Sequence, residues 1–466
     1  MRGLWTTDRV RAAEERVLAR VPAGSLMRRA AFGVAVAAVD VLGGRGRVGL
    51  LVGAGNNGGD ALWAGYYLRR RGIAVSAVLL DPARAHAEGL AAFRRAGGRV
   101  VDRLRDVDLV VDGIVGLSGR GPLRPAAAEH VAHLDAPVLA VDLPSGVDPD
   151  TGAVDGPAVR AAVTVTFGCL KPVHVLADCG DVRLVDLGLG PELGGPDLVE
   201  LDLVDVGAAW PVPGPDDDKY TQGVTGVAAG SATYPGAAVL ATGSALLATS
   251  GMVRYAGAAA EDVRARWPEA ICTGSITDAG RVQSWVVGPG LGTGLGAEDV
   301  VRAVLEAGVP VCADADAITV LANNPDLWDA RDPDTPVVLT PHDREYERLA
   351  GEVGPDRVAA AQRAAARFGA VVLLKGHATV VAGPDGRVLV NRARTSWAAT
   401  AGSGDVLSGL IGSLLAAGLD PLLAAGCAVR LHVLAADLAA DGAPIPATAL
   451  LAAVPDAVRA VRREVS

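Results

Sequence analysis

Thr400-Ala-Gly-Ser-Gly-Asp405 runs directly into Val406-Leu-Ser-Gly-Leu-Ile-Gly-Ser-Leu-Leu-Ala-Ala-Gly418. Gly402 and Gly404 stand just before an acid, and the acid opens an apolar run at helical spacing: Val406, Leu407, Leu410, Ile411, Leu414 and Leu415. A glycine turn feeding a helix N-terminus leaves backbone N–H groups unpaired and pointing at whatever lies above them, so this stretch predicts an anion site. As an N-terminal acid, Asp405 favours the helix dipole and needs no further role. Beside an anion hole holding a phosphoryl group, the same carboxylate can take a proton from an attacking hydroxyl.

Working upstream, apolar runs repeatedly end in polar residues. Residues 337–339 lead to Thr340-Pro-His342, and 371–374 deliver Lys375-Gly376-His377-Ala378-Thr379. A lysine at a strand end suits a phosphate as a point charge. A lone histidine is more often structural than a ligand, and Glu345 and Glu347 read as early-turn acids of the next helix. Trp285-Val-Val-Gly288-Pro-Gly290-Leu-Gly292 is a strand entering a glycine turn that permits close approach of a ligand. Asp314, after the run 310–313, orients a magnesium ion or substrate, or serves only as a helix N-cap. Pro384-Asp-Gly386 marks a hairpin.

The first half repeats the pattern. Apolar runs at 48–52, 75–80, 109–114, 138–143, 163–167 and 182–187 alternate with helix-length segments such as 61–71 and 82–96. Continuous apolar strands between helices predict a largely parallel sheet covered on both faces. The first strand ends in Gly53-Ala-Gly-Asn56-Asn57-Gly58-Gly59-Asp60, which satisfies GxGxxG, and Asp81 follows where a ribose-binding acid would stand. That reading implies an oxidoreductase. Against it, the Asn56-Asn57 carboxamides crowd a pyrophosphate, and Asp60 puts negative charge at the helix end meant for phosphate. Carboxamide and carboxylates converging at strand ends suit a hard cation or a polar substrate. Two more motifs follow strands: Asp112-Gly-Ile-Val-Gly116-Leu117-Ser118-Gly119-Arg120-Gly121-Pro122, and Asp142-Leu-Pro-Ser145-Gly.

Half of the 466 residues are apolar, and the length predicts two domains. A net charge of −10 without a basic stripe argues against a nucleic-acid partner. Five scattered cysteines without CxxC pairing predict reduced thiols, a cytoplasmic protein and no zinc site. Residues 224–253 carry no charge and are long enough to span a bilayer, but glycines and Pro235 break them, so they read as strand, turn and helix rather than a membrane segment. The proline-rich, then charged, stretch 211–218 reads as an inter-domain linker between domains 1–210 and 219–466. The charge-poor stretch 424–440 suggests burial against a second copy, hence a homo-oligomer.

Ala401-Gly-Ser-Gly-Asp405, with Leu339-Thr-Pro-His342 and Leu374-Lys-Gly-His-Ala-Thr379, closely resembles the nucleotide-dependent NAD(P)H-hydrate dehydratases, which are ribokinase-like α/β/α proteins. The resemblance covers about 219–466. The three motifs of the first half resemble the NAD(P)H-hydrate epimerase domain, a Rossmann-like α/β sandwich, over about 1–210. Together they imply a bifunctional repair enzyme acting on NAD(P)H hydrates. In the first half, the resemblance implies K+ on Asn57, Asp112 and Ser145. It places substrate on Asn56 to Asp60, on Gly116 to Pro122 and on Asp142, which is also the candidate proton shuttle. In the second it implies substrate contacts at Ala237, Gly290, Gly292, His342 and Asp405, with Asp405 the catalytic base. Nucleotide contacts are implied at Lys375, Gly376, His377, Ala378, Thr379, Gly402 and Gly404, with Mg2+ and ADP or ATP. Two departures stand out: Ala61 where the family usually has glycine, and Arg120 where lysine is common. Asp405 and its anion hole would equally serve a small-alcohol kinase beside a non-catalytic dinucleotide-binding half.

Overall fold

The computed structural model describes residues 1–249, 251–329, 331–393 and 395–465. The chain forms two compact units, Arg2–Leu198 and Val199 onward together with Met1. The boundary therefore precedes the expected one at 210. The cause is local pairing: Leu198–Glu200 is a strand lying parallel to Val388–Arg392, with Val199 opposite Leu389 and Glu200 opposite Val390. The helix Leu203–Ala209 follows, closed by a capping box between Asp202 and Asp205, and sends Val206 and Trp210 into the second core. The expected linker 211–218 is a mostly exposed connection within the second unit.

In the first unit the sheet runs in the order Arg99–Val100, Ala74–Leu79, Arg47–Val52, Leu109–Gly113, Val138–Val141, Val163–Phe167, Asp181–Val185. Every adjacent pair is parallel. The four strands from Arg47–Val52 to Val163–Phe167 are almost wholly buried, as their unbroken apolar runs predict, while the edge strands Arg99–Val100 and Asp181–Val185 are exposed or half-buried. Order reverses between Arg47–Val52 and Leu109–Gly113, and at such a switch the loops leaving two neighbouring strands diverge and open a crevice.

The second sheet carries a parallel run, Ile271–Thr273, Met252–Ala256, Val224–Ala228, Ser284–Val287, Val311–Ala313, Val337–Leu339, Val371–Leu374. The antiparallel hairpin Ala378–Ala382 and Val388–Arg392 extends it, turning at Pro384-Asp385-Gly386 as expected. Residues 224–253 resolve into the strand Val224–Ala228 and the helix Pro235–Ala248. The helix Ser403–Ala416 is buried from Val406 through Ala416. Pro421–Ala440 is long and apolar enough to cross a membrane, yet Leu422, Cys427, Leu431 and Ala435 lie in the core of its own unit. That burial accounts for its scarcity of charge without a partner copy. All five cysteines are free, four of them buried.

Candidate functional site

At the strand ends and helix start of the first unit stand the residues that the sequence singled out. Asn56 to Asp60 form the first turns of the helix Asn56–Arg70, starting earlier than the hydrophobic pattern alone suggested. A Cβ on Gly58 would collide with the Gly53 carbonyl, so helix start and strand end approach as closely as glycine allows. Asn56 is exposed, Asn57 half-buried, and Gly58, Gly59 and Asp60 are buried. Asn57 Nδ2 and Asp60 Oδ1 are buried with no hydrogen-bond partner among the described residues. Burial pushes the Asp60 carboxyl well above the usual carboxylate range, and the charges of Asp142 and Glu14 push the same way.

Asp112, fully buried at the end of Leu109–Gly113, accepts from Ile114 N (3.1 Å), Ser145 N (2.9 Å) and Ser145 Oγ (2.8 Å). Burial raises its carboxyl to about 6, with these hydrogen bonds opposing. Asp142 sits just past Val138–Val141 with φ 71°, a left-handed backbone that aspartate tolerates better than most residues. Lys171 Nζ, itself 1% exposed, donates to Asp142 Oδ1 at 2.7 Å and also to Thr166 Oγ1 (2.8 Å) and the Phe167 carbonyl (3.0 Å). His174 receives Lys171 N on Nδ1 (2.9 Å) and therefore donates from Nε2 to the Asp142 carbonyl (2.8 Å). Burial and the Lys171 charge lower this imidazole to about 4 and keep it neutral.

The loop Gly116 to Pro122 is more exposed, with Leu117 and Gly119 half-buried and Ser118, Arg120, Gly121 and Pro122 exposed. Arg120 Nη2 reaches Asp150 Oδ2 at 2.8 Å, tying that loop to the one after Ser145. Ala61 is fully buried, its Cβ filling the space beside Gly113. That packing absorbs the extra methyl.

The second unit gathers its residues in one cavity of about 640 Å3, lined among others by Asp314, His342, Lys375, His377, Gly402 and Asp405. Gly376, Thr379 and Gly404 line it too, whereas Ala378 is buried in the adjoining strand. Gly402 takes φ 88° as N-cap of Ser403–Ala416, the turn that aims the helix start into the cavity. Asp405 is pushed up to about 7 by burial and by the charge of Asp314, with Lys375 opposing and Asp316 adding. Lys375 Nζ bonds Asp314 Oδ1 at 2.8 Å, Ser408 Oγ bonds Asp314 Oδ2 at 2.7 Å, and the Asp314 carboxyl lies below its usual range. Burial alone would push it up. The Lys375 charge and the hydrogen bonds from Lys375 and Ser408 overcome that.

Gly290 and Ala237 lie outside this lining and pack on each other at the sheet's switch point, where a Cβ on Gly290 would come 2.8 Å from that of Ala237. Gly292 N donates to Asp316 Oδ2 at 2.8 Å, linking this turn to the acids near Asp405. Sequence reasoning missed three residues. Glu345 forms a capping box with His342 and stands 3.7 Å from Lys375 Nζ. Ser408 lies one helical turn after Asp405, a spacing that could have flagged it. His432, an imidazole in a mostly apolar helix, meets the Ser403 carbonyl at 2.9 Å, and burial holds it near 4.

Two family profiles share the chain: the YjeF-related protein N-terminus matches residues 23–173, and NAD(P)H-hydrate dehydratase matches 225–455. The chain belongs to the bifunctional NAD(P)H-hydrate repair enzymes. The bifunctional NAD(P)H-hydrate repair enzyme Nnr of Mycobacterium leprae is 57% identical over 95% of this chain and 96% of its own length. That of Mycobacterium tuberculosis H37Rv is 58% identical over 90% of each. Among solved structures, the ADP/ATP-dependent NAD(P)H-hydrate dehydratase of Bacillus subtilis, co-crystallised with ATP/Mg2+, is 29% identical with a TM-score of 0.51. It covers 56% of this chain and 97% of that one.

Proposed function

We propose that this chain repairs hydrated nicotinamide cofactors in two steps, one in each unit. The first unit interconverts the R and S epimers of NAD(P)H hydrate. The second consumes the S epimer, phosphorylating its C6 hydroxyl from ADP or ATP and releasing phosphate to restore the reduced ring. Family membership over both halves supports the reading. The observation that carries it is the single cavity joining Asp405, the Gly402 helix start, Lys375 and His342.

In the second unit, Asp405 takes the proton of the C6 hydroxyl as that oxygen attacks the terminal phosphoryl group. A carboxylate poised near 7 is a stronger base than an ordinary aspartate and is still largely ionised just above neutrality. The backbone N–H groups after Gly402, with Gly404, face the developing phosphoryl charge, and Lys375 adds a point charge. Gly376 to Thr379 border the nucleotide, while His342, with Ala237, Gly290 and Gly292 alongside, borders the hydrate. Phosphate is a far better leaving group than hydroxide, so elimination follows. Both oxygens of Asp314 are engaged by Lys375 and Ser408, so Mg2+ fits as an ion carried by the nucleotide phosphates, whose charge it offsets.

In the first unit, ring nitrogen assists loss of the C6 hydroxyl and leaves a planar cation that water re-enters from either face. Asn56 to Asp60, Gly116 to Pro122 and Asp142 hold the substrate, and Asp142 handles the proton. Asn57, Asp112 and Ser145 suit K+: they offer hard oxygens, and Asp112 is a buried carboxylate with hydrogen bonds but no ion pair among the described residues. The ion would supply charge balance and loop order there. We place the enzyme in the cytoplasm with its soluble cofactor substrates.

Purified S hydrate with Mg2+ and either nucleotide tests the second unit. Reduced-nicotinamide absorbance returns with the wild-type chain, and the faster nucleotide is the preferred one. No return with either would contradict the dehydratase assignment.

A further inference from the structure

Epimerisation through a planar cation needs two proton transfers per turn: one to the departing hydroxyl and one from the arriving water. A single carboxyl at rest is either protonated or ionised, so it starts ready for only one of them. The first unit holds two aspartates in opposite circumstances. Asp142 is tied to Lys171 at 2.7 Å, with Thr166 Oγ1 donating to the same oxygen at 3.0 Å. An ion pair and a hydrogen bond thus converge on it, the pairing that suits a carboxylate. Asp60 is 8% exposed, and its Oδ1 is sealed from solvent with no partner among the described residues. Ionising it would put an unpaired charge in a poorly solvated site that already faces one carboxylate.

We propose that Asp60 is the proton donor to the departing hydroxyl and Asp142 the acceptor from the arriving water. The inference rests on the first unit's epimerase reading. Asp60 O–H gives its proton to the C6 hydroxyl oxygen. The C6–O bond breaks with its electron pair on the departing water, and the ring-nitrogen lone pair forms the C=N bond. Water adds to the other face, the electron pair returns to nitrogen, and the Asp142 carboxylate accepts the proton of the new oxonium. An oxonium is a strong acid and gives its proton readily to a carboxylate. Asp60 ends ionised and Asp142 neutral, and a turn of opposite hand or exchange with water restores both.

Glu14 lies on the helix Thr7–Leu18, and its charge bears on Asp60. Around Glu14 itself, burial is opposed by Lys171, reinforced by Asp142 and opposed again by Arg11. His86 packs against Gly59, one residue before Asp60, and neutral His174 backs Asp142 from behind. No cation bonds Asp60 among the described residues, whereas Lys171 is committed to Asp142.

The test follows interconversion of the two hydrate epimers by the full chain without nucleotide, across pH. Asp60→Asn should slow interconversion by about 100-fold or more, mainly in kcat. Nucleotide-driven dehydration of the S epimer by the same sample checks its integrity. In the wild type the rate should fall at high pH as Asp60 ionises. Glu14→Gln removes a neighbouring negative charge, so this limb should move to lower pH while the plateau below it stays. An Asp60→Asn protein at the wild-type rate overturns the proposal, and so does a Glu14→Gln limb that stays in place, which decides the matter should Asp60→Asn misfold. A wild-type chain no faster than spontaneous interconversion would instead overturn the epimerase reading beneath it.

Discussion

The two units solve a similar electrostatic problem with different outcomes. Each has a buried Asp–Lys pair, Asp142 with Lys171 and Asp314 with Lys375, and each sets a second aspartate in the first turns of a helix, Asp60 or Asp405. In the second unit Lys375 is 22% exposed and its charge reaches Asp405, holding that carboxyl near neutrality. In the first, Lys171 is 1% exposed and spent on Asp142, Thr166 and Phe167, so Asp60 feels two negative charges and no relief. On the proposed roles, one arrangement makes a base and the other keeps an acid. Burial raises both carboxyls most, more so for the deeper Asp60, and the lysine's charge then relieves Asp405 alone.

The largest effect expected from breaking this contrast is on Asp405. Asp405→Asn should lower nucleotide-dependent dehydration by about 100- to 10,000-fold while leaving epimer interconversion intact, as separate assays of the two reactions would show. Removing the lysines sharpens the comparison. Lys171→Met leaves the buried Asp142 carboxylate without its cation and should destabilise the first unit by about 3–5 kcal/mol, read by chemical denaturation. Lys375→Met leaves Asp314, 2% exposed and still bonded by Ser408, without its cation and should destabilise the second unit by a comparable amount.

A pH profile of dehydration discriminates further. Asp405 must be ionised to act, so the rate should rise as pH climbs through about 7 and then level off. Lys375 lowers that value, so in Lys375→Met the rising limb should move to higher pH. The smallest effect belongs to K+: relative to tetramethylammonium it should raise the melting temperature of the first unit by a few degrees, and Asp112→Asn should abolish the difference.

Much of this arrangement could be read from the chain because strand ends and helix starts are local features. Glycine turns, apolar runs and the polar residue after each run placed Asp405, Lys375, His342, Asn57 and Asp142 before any coordinates. The pairings were hidden because they close over distance: Lys171 meets Asp142 across 29 positions, and Ser408 meets Asp314 across 94. Glu345 passed for an ordinary first-turn acid because it is one; only the fold brings Lys375 beside it. The boundary was misplaced because proline and charge mark exposure, and an exposed loop inside a unit carries the same marks as a linker. Leu198–Glu200 is too short to announce its partner strand.

The most direct test of the division of labour is recovery of reduced-nicotinamide absorbance from a mixture of both hydrate epimers, with Mg2+ and the preferred nucleotide. The account predicts complete recovery, faster than spontaneous epimerisation allows, and with Asp60→Asn a fast phase that stops near the amount of the S epimer. A fast phase that stops at that amount with the wild-type chain would contradict it, leaving the first unit as a binding domain.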